Sequence, residues 1–123
     1  MTPLWRRSQP RETPNAVHTD ALALELTFER VPEAQLVAGT PSTGFAVLSS
    51  FDGREYGVWE MSEGAMSDTE ADEVFVVLAG EASVLFVDTG VEWQLAAGSV
   101  GRLTAGQRTV WTVTRRLRKV YLS

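Results

Sequence analysis

The sequence predicts an all-β fold, an antiparallel barrel or sandwich, on three observations. Short runs rich in β-branched and aromatic residues follow one another from residue 45 to the C-terminus. Turn chemistry separates them, notably Asp52-Gly53, Ala79-Gly80 and the Asp88 to Gly90 stretch. No segment carries a convincing 3.6-residue apolar period, so nothing asks to be an amphipathic helix.

Taken in order, residues 1–20 hold Pro3, Pro10 and Pro14 among polar residues and form no periodic face, so they read as an extended arm. Leu4 and Trp5 are apolar anchors that suit such an arm to wrapping a neighbouring subunit; a frayed end is the equal alternative. Residues 21–123 are expected to form one barrel domain. Leu22, Leu24, Leu26 and Phe28 sit at even positions, which predicts a strand over 21–29. Pro32 and the Ala38 to Gly44 stretch then punctuate a short apolar piece around Leu36 and Val37. Further strands are expected at 45–50, 54–61, 73–79, 81–88, 91–96, 99–103, 109–114 and 117–122. Between them, 62–72 reads as a long polar loop. No internal repeat is present, so these strands should curl into one closed or nearly closed sheet, which also hides strand edges.

The 123 residues match one ordinary domain, with 44% hydrophobic and 22% charged residues. Eleven basic against sixteen acidic residues give a formal charge of -5, which disfavours a nucleic-acid partner. The one dense basic run, Arg115, Arg116, Arg118 and Lys119, alternates with Leu117 and Val120 and reads as a solvated strand face. The absence of cysteine removes disulfides, thiolate nucleophiles and the common zinc knuckles. No run approaches the ~20 apolar residues of a membrane span, and residues 1–20 lack an apolar signal core, so the expected placement is cytoplasmic.

Residues Asp72 to Glu81 resemble the second half of the first cupin motif, with Glu73 followed by the turn glycine Gly80. Gly98 to Gly106 resembles the second cupin motif, and both of its glycines match. Gly57 to Glu60, Asp72-Glu73, Ala105-Gly106, Val110 to Val113 and Arg118 to Tyr121 together look like a small single-domain group. That group is similar to the cupin domain of ureidoglycine aminohydrolase. The resemblance spans residues 39–123 and implies an antiparallel, jelly-roll-like barrel that pairs into homodimers, to which the Leu22 to Phe28 stripe would contribute an apolar face.

The departures from those motifs bear on function. The loop before Glu73 lacks the family's two histidines, and the second motif carries Thr109 where a histidine is usual and Val113 where an asparagine is usual. The single histidine, His18, lies in the arm. Of the usual metal ligands only Glu73 remains, so no transition metal or other cofactor is expected. Should a divalent ion bind, Glu60 and Glu73 are its candidate ligands, with Asp68, Glu70 and Asp72 able to join around a harder ion. The competing reading has those carboxylates solvating a loop and a strand end.

Glu73 is the candidate catalytic residue, because a carboxylate facing an aromatic barrel is desolvated toward the range useful for acid–base work. Pairing with Arg102 or Arg108 would remove that role. If Thr109 faces inward, strand alternation brings Trp111 and Val113 with it. Trp59, Phe75, Thr109, Trp111 and Tyr121 would then line a cavity for a small organic ligand, or simply fill the barrel. The expected function is thus a small-molecule-binding cupin lacking a tightly bound transition metal. The alternative is an enzyme, ureidoglycine aminohydrolase-like or an isomerase or lyase on a small polar metabolite, with Glu73 as acid or base.

Overall fold

The structure, a computed structural model, describes residues 18–123. The proposed arm anchors Leu4 and Trp5 lie outside the described residues. Among the described residues nine strands build one antiparallel sheet: β1 (Phe28–Arg30), β2 (Leu36–Ala38), β3 (Ser42–Phe51), β4 (Arg54–Met61), β5 (Gly64–Thr69), β6 (Glu73–Phe86), β7 (Glu92–Ala96), β8 (Val100–Leu103) and β9 (Arg108–Leu122). They run in the order β1-β3-β4-β9-β5-β2, with β6 also on β9, and β7 and β8 on β6. The sheet curls around its long strands. No helix occurs among the described residues, and none is long and apolar enough to cross a membrane.

Curling depends on β6 and β9. Each was expected as two strands, 73–79 with 81–88 and 109–114 with 117–122; each is one continuous strand. The β6–β9 register shifts around Ala79 and Glu81, so Gly80 marks a bulge inside β6 and not a corner between strands. Gly80 has φ +97°, and a Cβ there would fall 2.0 Å from the Arg116 carbonyl oxygen, so only glycine lets the two strands approach. The bend lets the first part of β9 pair with β5 and the last part pair with β4. At the β3–β4 hairpin the Asp52-Gly53 signal holds: both residues have positive φ.

Alternation along the strands separates the faces. Phe75, Val77, Ala82, Val84 and Phe86 of β6 meet Trp111, Val113, Leu117 and Tyr121 of β9 in a core that includes Met61, Met66 and Leu103. Fully burying side chains such as Leu117 or Val84 stabilises the fold by roughly 1.5–3 kcal/mol each.

Two further expectations fail at the level of elements. Residues 21–29 do not form a strand throughout; only Phe28–Arg30 enters the ladder, pairing with Ser42 to Gly44. Preceding residues leave the sheet because Arg118 holds the carbonyls of Ala21 and Leu24 at 2.8 and 2.7 Å. Within 62–72, the expected loop contains β5, paired with β9 and with β2. Its polar residues obscure the strand because the face they occupy lines a polar cavity instead of an apolar core.

Candidate functional site

A cavity of about 230 Å³ opens inside the curl, lined by Phe45, Trp59, Met66, Asp68, Glu70, Glu73, Trp111, Lys119 and Tyr121. Strand period two aims most of these inward. Met66 and Asp68 alternate on β5 with Glu70 just beyond it, and Trp111, Lys119 and Tyr121 share one face of β9. Phe45 and Trp59 are directly opposed across β3 and β4. Phe45 is 63% exposed and stands at the mouth.

Lys119 is the central charge. Its side chain is 7% exposed, and its ammonium donates to Glu73 Oε2 at 2.6 Å. The same nitrogen lies 4.8 Å from the Trp59 ring centroid, 4.8 Å from Phe75 and 4.7 Å from Trp111. Withdrawing a cation from water costs several kcal/mol, which one ion pair offsets only in part. Three desolvated ring faces each contribute about 0.5–2 kcal/mol, enough to hold the charge where it is.

Glu70 lines the cavity with its side chain largely buried, at 9% exposure. Its Oε2 accepts from Thr109 Oγ1 at 2.5 Å and from Trp111 Nε1 at 2.9 Å. No donor among the described residues reaches its Oε1. Asp68 carries a raised pKa, first because burial withholds water and next because the Glu70 charge repels its own. Tyr121 is raised likewise by burial, then by Glu55 and Glu73. Three carboxylates and one cation, Lys119, therefore line the cavity.

Of the predicted site residues, Glu73, Trp59, Trp111 and Tyr121 line the cavity. Phe75 and Thr109 stand one layer back: Phe75 under the Lys119 ammonium and Thr109 as a donor to Glu70. Glu73 pairs with Lys119, and Arg108 pairs with Asp88 instead. Glu60 and Glu73, the conditional ligands of a divalent ion, face opposite sides. Trp59 faces the cavity, so alternation turns Glu60 to the opposite side of β4, where Arg118 Nε holds it at 2.5 Å and Arg116 binds its other oxygen. Among the described residues no three His, Cys, Asp or Glu side chains converge as a metal-holding group. His18 is exposed on the segment before β1.

The basic run is not a solvated face throughout. Arg115 and Arg116 are exposed, but Lys119 is buried in the cavity and Arg118 is held against Glu60. The signal was present: Thr109, Trp111, Val113, Leu117, Lys119 and Tyr121 occupy one odd-numbered face, and continuing that alternation through the run points Lys119 inward. The basic residues on either side masked it.

Residues 48–121 match the family model described as an EutQ-like cupin domain. No curated protein matches the chain. Among solved structures, the Clostridium difficile EutQ protein is 19% identical with a TM-score of 0.58, over 67% of this chain and 61% of that one. A protein of unknown function from Pseudomonas syringae pv. tomato gives 21% identity and a TM-score of 0.71, over 84% of this chain and 45% of that one. The cupin domain of Cnp3 from Schizosaccharomyces pombe gives 15% and 0.64, over 86% and 72%. The chain thus spans less than two thirds of the first two neighbours, and these likenesses concern the fold.

Proposed function

This chain belongs to the EutQ-like cupin domain family, and we propose that it binds a small organic molecule in the barrel cavity without a tightly held transition metal. The observation that carries this reading is the cavity itself. It is concave, walled by Trp59, Trp111 and Phe45, and supplied with few, fixed polar groups at Asp68, Glu70, Glu73, Lys119 and Tyr121. Its volume of about 230 Å³ falls below the roughly 300–1,000 Å³ of drug-sized pockets, which suits a small metabolite. The residues fit a transition metal poorly. Glu73 already has a cation in Lys119, Thr109 is committed to Glu70, and Glu60 lies on the far face.

Native mass spectrometry and elemental analysis of protein purified without an affinity metal column test this reading. A retained organic mass without stoichiometric metal is expected. Near-stoichiometric iron, nickel or manganese would overturn it. The homodimer belongs to the same proposal, and light scattering reads it directly.

A second reading has the ureidoglycine aminohydrolase-like, isomerase or lyase chemistry, with Glu73 as acid or base. It is supported by the position of Glu73 in the cavity wall beside Trp59, Trp111 and Tyr121, and it requires Lys119, paired with Glu73 at 2.6 Å, to yield that carboxylate to the substrate. Turnover of any small polar metabolite that survives Glu73→Gln unchanged removes this reading.

A further inference from the structure

The charges of the cavity do not balance, and the imbalance describes what should enter. Glu73 and Lys119 neutralise one another at 2.6 Å, and the three rings around the lysine complete its surroundings. Glu70 and Asp68 remain. Both oxygens of a buried carboxylate need donors, and leaving one unmet costs about 1–3 kcal/mol or more for a charged group. Glu70 meets this need at Oε2 only, through Thr109 and Trp111, although the residue is nine-tenths buried. Asp68 receives the backbone N–H of its neighbour Thr69 at 2.8 Å and is paired with no cation among the described residues. Its carboxyl is raised, chiefly by burial and then by Glu70, and the Thr69 N–H and the Lys119 charge offset this only in part, which marks a place where a further positive charge would be welcome.

We propose that the ligand is a small organic cation, a protonated amine whose N–H groups are received by Glu70 Oε1 and Asp68 and whose carbon part lies against Trp59, Met66 and Trp111. This rests on the reading of the cavity as a small-molecule site. The class follows from three features acting together. An anion would enter beside three carboxylates with one cation already paired. A neutral molecule would satisfy Glu70 Oε1 with a hydrogen bond but would leave the like charges of Asp68 and Glu70 uncompensated. An ammonium does both, and its alkyl carbons gain from aromatic walls.

The test is calorimetric titration of the full chain with propylammonium, propanol and propionate, three probes of matched length. The protein should bind propylammonium at least about tenfold more tightly than either of the others, since hydrogen bonds to charged groups outweigh neutral ones by that order. Glu70→Gln retains acceptor capacity toward Thr109 and Trp111 and should cut propylammonium affinity about tenfold without unfolding the barrel. Asp68→Asn should do the same independently. Propanol or propionate binding as well as the amine, or both variants binding it unchanged, would overturn the cation while leaving a small-molecule cavity in place. Failure of all three probes to bind would remove the cavity reading and the cation together.

Discussion

The ammonium of Lys119 sits 2.6 Å from Glu73 Oε2 with the Trp59, Phe75 and Trp111 rings around it, so the cavity carries its own buried cation. Removing one partner of such a pair strands the other charge. Lys119→Met should cost about 3 kcal/mol, the lower end of what an orphaned buried ion loses, because the Glu73 side chain is 17% exposed and keeps some contact with water. The double variant Lys119→Met with Glu73→Gln should recover most of that loss. Urea unfolding of the four proteins in this cycle gives the coupling directly, and a double variant no more stable than Lys119→Met would show that the pair is not the source of the cost.

Asp68 gives a pH signature. Its carboxyl titrates above its ordinary 3.8 in the folded chain, chiefly through burial and then through Glu70. The folded protein therefore holds that proton more readily than the unfolded chain. The contribution from Asp68 is fully present below its unfolded value and is lost as pH rises through the raised folded value. Asp68→Asn removes both the burial penalty and the repulsion. Thermal melts should show the variant a few degrees more stable than the parent at neutral pH, with the gap closing toward pH 4. A variant less stable than the parent at neutral pH would contradict this.

Those two residues also explain what the sequence could and could not disclose. The turns at Asp52-Gly53 and at Asp88 to Gly90, the inward face of β9 and the inward-facing Trp59 and Trp111 follow from period-two apolar patterning and turn residues, whereas Gly80 proved a bulge inside β6 and Phe75 stands one layer behind the cavity. Strand β5 was hidden because Met66, Asp68 and Glu70 face a polar cavity, so hydrophobicity does not alternate there. Lys119 was hidden for a related reason: charge in a strand ordinarily means solvent, and only continuing the phase from Thr109 reveals the exception. Glu60 was a conditional metal ligand named for its carboxylate, and residue type alone says nothing about which face of β4 it occupies. Its partners, Arg116 and Arg118, lie more than fifty positions away in the chain.

Arg118 ties the segment before β1 to the barrel. One nitrogen binds Glu60, and another donates to the carbonyls of Ala21 and Leu24. Arg118→Ala should cost about 1.5–3 kcal/mol, the worth of hydrogen bonds to a charged group, with Arg116 still pairing Glu60. Arg118→Lys should recover little, because a lysine lacks the planar fork that reaches a carboxylate and two carbonyls at once. Limited proteolysis should cut near residues 21–27 several-fold faster in both variants. Equal cutting in the parent would show that the anchor does not hold this segment.

Gly101 controls the cavity from behind. It faces Phe75 directly across the β6–β8 pair, and a Cβ on it would lie 2.4 and 2.6 Å from atoms of that ring. The ring is 1% exposed, its centroid is 5.8 Å from that of Trp111, and the Lys119 ammonium lies 4.8 Å away, so it has little room to retreat. Gly101→Ala should therefore destabilise the fold by about 1–3 kcal/mol, as overpacking does, and should alter the environment of Trp111 in near-ultraviolet circular dichroism. The obstacle is a side chain, so trimming it should help: Phe75→Leu combined with Gly101→Ala should be more stable than the sum of the two single changes predicts. Gly80→Ala offers the contrast. Its obstacle is the Arg116 backbone carbonyl at 2.0 Å, met at φ +97°, and no trimming of a neighbouring side chain can relieve it. Strict additivity of Phe75→Leu with Gly101→Ala, measured by chemical unfolding, would mean that the ring is not what requires a glycine there.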